Sequence, residues 1–110
     1  MKQDGGPEMA QDRDTVRREL ASRVAMLDGR ARLARPPELA QAVEDIRLLA
    51  QRHGLHPTVT VAHVMAGALA RGERGVVAWL PLLRDAVGAE RQDRAAGEAF
   101  AAACSARLAI

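Results

Sequence analysis

Apolar residues recur every three or four positions along most of this chain. Val16, Leu20, Val24, Leu27, Ala31 and Ala34 are spaced 4, 4, 3, 4 and 3 apart, which is one continuous seam along a helix. Asp12 or Asp14 can cap that helix, and Pro36-Pro37 must end it near Arg35, because a residue before proline resists the helical conformation. Pro37 suits the first position of a second helix, Glu38 to His53, with Leu39, Val43, Ile46 and Ala50 as its buried stripe and Ala42 and Leu49 beside it. Gly54 is a natural stop. Pro57 and two threonines open a third helix to about Arg71 that is apolar almost all round. Its exceptions, Thr60, His63, Gly67 and Arg71, share one narrow face, and Ala66, Gly67 and Ala70 would let a neighbour approach closely. A helix of this kind is expected at the centre of a fold.

After the turn Arg71-Gly72-Glu73-Arg74-Gly75, the segment Val76 to Val87 contains Pro81. Proline inside a helix costs roughly 3 kcal/mol, so the pattern predicts a kink, or a turn followed by a short helix, at Leu80-Pro81. Asp93 can cap a last helix, Arg94 to Leu108, with Ala96, Phe100, Cys104 and Leu108 (or Arg107) inward. The expected fold is therefore all-α: a compact, Ala-rich bundle of four to five helices in one domain over residues 12–110. Residues 1–11, polar with a Gly-Gly-Pro, are expected to be a mobile, disordered tail.

Composition sharpens this picture. The chain has 23 alanines, no tyrosine, one phenylalanine and one tryptophan. Such poverty in aromatics suits closely packed helices and leaves no stacking platform for bases. Arginine outnumbers lysine 15 to 1, yet the net charge is only +2. Residues 36–110 balance eight cations against eight anions, so no broad basic field exists to attract nucleic acid. Arg30, Arg32 and Arg35 form the densest basic stretch but do not share a helical face, and they sit near a helix C-terminus, where cations are favoured anyway. The one cysteine, Cys104, allows no internal disulfide. With no apolar run of membrane-spanning length and no signal-like N-terminus, a cytoplasmic, bacterial protein is expected.

All three histidines fall in HGLHPTVTVAH, residues 53–63. As metal ligands, His53, His56 and His63 would be a three-histidine site only if the fold brought His63 back toward the turn. The simpler reading makes His53 a helix end, His56 a turn residue and His63 a polar position on a buried helix. Residues 49–58, LAQRHGLHPT, resemble the first helix and turn of a helix-turn-helix, which would make residues 49–71 a DNA-reading unit. The pattern departs at His53, where an apolar residue is usual, and the second helix offers few side chains that could reach base edges.

Nucleophilic chemistry has little to use. Cys104 lies among alanines, Ser22 and Ser105 lack a glycine elbow, and the adjacent Glu44 and Asp45 point about 100° apart on a helix. No enzymatic activity and no cofactor are expected. The function expected is a non-enzymatic interaction or regulatory module, self-associating as a homodimer, with an unknown protein partner and neither nucleic acid nor membrane. Val16, Leu20, Val24, Leu27 and Trp79 are its interface candidates: a seam that could pack within the bundle or zip to a second copy, and a lone tryptophan at a kinked apolar segment that is either a partner anchor or the largest core residue. The alternatives are a small DNA-binding regulator and a metal-dependent enzyme or sensor built on the histidines.

Overall fold

The computed structural model describes the backbone of residues 6–109 and the side chains of residues 12–109. Among the described residues the chain forms five α-helices and no strands: α1 (Gly6–Arg30), α2 (Pro36–Arg52), α3 (His56–Ala70), α4 (Leu80–Gly88) and α5 (Arg94–Leu108), with a 3-10 segment (Arg74–Trp79) leading into α4. The fold is one compact all-α domain. The backbone of residues 6–11 is already part of α1, while the first five residues of the expected tail lie outside the described residues.

The α1 seam is buried as its spacing requires, with Leu20, Val24, Leu27, Ala31 and Ala34 in the core and Val16 packed against it. The helix ends at Arg30, short of the expected Arg35, and residues 31–34 form a turn closed by Ala34 N–H to Arg30 O at 2.9 Å. Pro36 and Pro37 occupy the first turn of α2, and the Glu38 carboxylate accepts from the Arg35 backbone N–H at 3.0 Å. Leu39, Val43, Ile46 and Ala50 face the core, the stripe read from sequence.

The corner between α2 and α3 is built from the histidine-rich stretch. His53 is the C-cap of α2. Gly54 sits at φ +68°, where side chains are strained. The chain then reverses so that Leu55, fully buried, returns its N–H to Ala50 O at 3.0 Å. α3 follows as the central helix. α2, α4, α5 and the 3-10 segment all pack on it, and Pro57, Thr58, Val61, Ala62, Met65, Ala66, Ala68 and Leu69 are buried. Pro81 falls in the first turn of α4, where its missing N–H costs nothing. The Asp93 carboxylate accepts from Ala96 N–H at 2.9 Å and caps α5. That contact and the Arg91 guanidinium, the larger influence, hold the Asp93 carboxyl below its ordinary range.

Two features correct the sequence reading. The interface candidates on α1 turn inward: Leu20, Val24 and Leu27 are buried within this one chain, Val16 packs on the same core, and Trp79 is buried in the 3-10 segment. The seam is used by α2 and α4, so it offers no exposed zipper. Leu108, expected inward, is 60 % exposed and its alternative Arg107 is exposed too, because the inner stripe of α5 is set by Gly97 and Cys104.

Two arginines close helix ends across long separations. Arg17 donates from Nε to Val87 O (3.0 Å) and from Nη2 to Ala89 O (2.9 Å), at the C-terminus of α4. Arg74 donates to Ala31 O (2.7 Å) and Ala34 O (3.0 Å), just past the end of α1. Orphan carbonyls at helix ends need such donors, and a planar guanidinium can serve two at once. Arg74→Ala is expected to lower stability by about 1–2 kcal/mol, read as a lower urea midpoint with unchanged slope. An unshifted midpoint would show that water replaces the guanidinium without loss.

Candidate functional site

An open groove of about 590 Å³ lies between α2 and the C-terminal half of α3. Helical spacing builds both walls. Pro37, Ala40, Gln41, Glu44 and Arg47 follow one another on the outer side of α2, and His63, Ala66, Gly67 and Ala70 do so on α3. The floor is made of small apolar residues, so the two helix backbones lie close beneath anything placed there. Arg71 folds back over Gly67, its Nη1 3.6 Å from where a Cβ would stand, and its Nε reaches Glu73 at 3.0 Å.

The rim is polar and ordered. Arg47 donates to both Glu44 oxygens, Nε to Oε1 at 2.9 Å, and its Nη1 reaches Gln51 Oε1 at 2.8 Å. Arg47's hydrogen bond holds the Glu44 carboxyl below its ordinary value. Partial burial opposes this, and the charges of Arg47 and His63 add to it. His63 is exposed at the rim. The groove thus combines an apolar floor with fixed donors and acceptors of both signs.

The three histidines are dispersed. His53 shares a small recess with Asp12, Arg13 and Arg52 where α1 meets the end of α2. His56 opens α3, its N–H bonded to Gln92 O at 3.2 Å, and lies beneath Gly97 of α5. His63 stands in the groove. Among the described residues no group of three or more His, Cys, Asp or Glu side chains is placed to hold a metal ion. The backbone over residues 49–71 is a helix, a turn and a helix, but α3 is covered by its neighbours and exposes only His63 and Ala70 along its length. A recognition helix must present a row of side chains to a groove in DNA, and α3 has none to present.

The small residues Ala66, Gly67 and Ala70 stand out in the sequence, whereas their counterparts on α2 do not. The signal was there: Pro37, Ala40, Gln41 and Glu44 recur at helical spacing opposite the buried stripe. Gln92 was missed altogether. It is buried, and its Nε2 donates to Ala86 O (3.0 Å) and Ala89 O (2.8 Å), pinning the chain between α4 and α5. Cys104 is buried on α5, and desolvation pushes its thiol above the ordinary range.

These features define an all-α helical domain with an open, small-residue groove between α2 and α3. Compared with known protein families, curated proteins and solved structures, the chain matches none. No described helix is long and apolar enough to cross a membrane.

Proposed function

We propose that this chain is a non-enzymatic helical interaction module that self-associates as a homodimer through the groove between α2 and α3. The observation that carries this reading is the groove's construction: a small-residue apolar floor inside a rim of both charges. Specific interfaces have that anatomy, an apolar centre within a polar border. Ala40, Ala66, Gly67 and Ala70 permit the close end of the 8–10 Å range of helix–helix separations.

A second copy is the favoured occupant because the rim is self-complementary. Glu44 and Arg47 lie one helical turn apart on the same wall. Across a two-fold axis the Arg47 of one copy can face the Glu44 of the other. Two-fold dimers meet through identical patches, so a patch carrying both signs is suited to its own image. The domain's own helices cover α3 except along this stripe, and the α1 seam is buried within the chain, which supports a contact here.

Ala70→Arg tests the reading without disturbing the core, because Ala70 is exposed and arginine is a good helix former. The variant is expected to keep its thermal midpoint and weaken self-association by about tenfold or more. Self-association of equal strength in both proteins would remove the groove from the interface.

A further inference from the structure

We infer that α5 is a releasable cover on α3, opening as a unit while α1–α4 stay folded. The basis is how unevenly α5 is anchored. Of its fifteen residues only Gly97 and Cys104 are buried, two helical turns apart, with Ala96, Phe100 and Ala103 half-buried beside them. α3, of equal length, buries eight. The neighbour along α5 is α3, whereas α3 is also held by α2, α4 and the 3-10 segment. An element that buries so few side chains belongs to the low-stability end of a fold, where local opening occurs without global unfolding.

The hinge is defined by what stays fixed. Gln92 is buried, donates twice to the last turn of α4 and its neighbour, and accepts from His56 N–H. Asp93, the next residue, is exposed and bonds Ala96 and Arg91 within its own local turn. Detachment therefore begins between Gln92 and Asp93. Seven of the fifteen residues of α5 are alanine, so the released segment retains a helical tendency and can redock without refolding from coil. Opening uncovers the α3 surface around His56 and Thr60, which touches Gly97 in the closed state, and frees Cys104.

Cys104 reports the motion directly. The full-length protein is incubated with a thiol-reactive chromophore at native pH, and amide hydrogen exchange is followed on the same sample by mass spectrometry. Labelling is expected to give an opening constant about tenfold or more above that for global unfolding from urea titration. The amides of α5 should exchange together, ahead of those in α2 and α3. Phe100→Ala, which trims a half-buried contact, should raise the labelling rate further while exchange in α2 and α3 holds steady. Labelling of Cys104 only at the global unfolding rate, or exchange of α5 in one step with α2 and α3, would overturn the inference.

Discussion

Leu55→Ala is expected to cost about 2–5 kcal/mol, the range for deleting a fully buried leucine side chain. Leu55 is the first residue after the Gly54 reversal and has no exposed surface. Its side chain enters the core that α2 and α3 share, and its N–H closes the corner on Ala50 O. The loss combines transfer of apolar surface to water with a cavity that the surrounding helices cannot close. A domain of this size has only about 5–15 kcal/mol in hand, so the variant should unfold at a much lower urea midpoint and show a lowered thermal transition. A loss below about 1 kcal/mol would mean that the corner collapses freely around the smaller side chain and is not a fixed point of the fold.

Gly97→Val should have the second large effect. A Cβ at position 97 would stand 3.0 Å from His56 Cβ and 3.4 Å from both the His56 carbonyl carbon and Thr60 Oγ1. The nearest of these atoms belongs to the first turn of α3, which is tied to Gln92 through the His56 N–H. Valine adds two further methyls beyond that already tight Cβ. Overpacking of this kind costs about 1–3 kcal/mol or more, and the least firmly held partner is the one that moves. α5 is therefore expected to leave α3, with Cys104 labelled rapidly by thiol reagents and with α1–α4 retaining a cooperative unfolding transition. A variant as stable as the parent, with Cys104 still protected, would show that α5 docks with room to spare at this point.

How much of this was legible beforehand depended on the range of the interactions. The stripe Leu39, Val43, Ile46 and Ala50, the Gly54 stop, the Pro81 break and the Asp93 cap are local signals. Each appears in the structure where periodicity and capping placed it. The burial of α3 was legible because apolar residues surround it. What could not be read are contacts between distant residues. Arg17 and Val87 are 70 positions apart, and Arg74 reaches Ala31 across 43. An arginine-rich composition therefore does not reveal that two of these side chains close helix ends. The α1 seam looked equally fit for a second copy or for its own domain, and only the positions of α2 and α4 decide that it is internal. The groove lay between two stripes on different helices. One wall, Ala66 to Ala70, was visible as a run of small residues. The other needed the register of α2 against α3.

Exposed apolar side chains show where solvent-facing positions remain outside the groove. Leu33, in the turn after α1, is 90 % exposed and Met26 is 62 % exposed. They stand apart from the groove lining, and single exposed apolar residues are ordinary on protein surfaces. The groove differs in having its apolar residues contiguous and its rim ordered by the Glu44–Arg47 pair.

Sedimentation equilibrium of the full chain beside its Ala70→Arg variant, from about 1 to about 500 µM, tests the central claim most directly. The account predicts a monomer–dimer equilibrium for the parent and a shift of about tenfold or more toward monomer in the variant, with both proteins equally folded. A parent that remains monomeric across the whole range would contradict it.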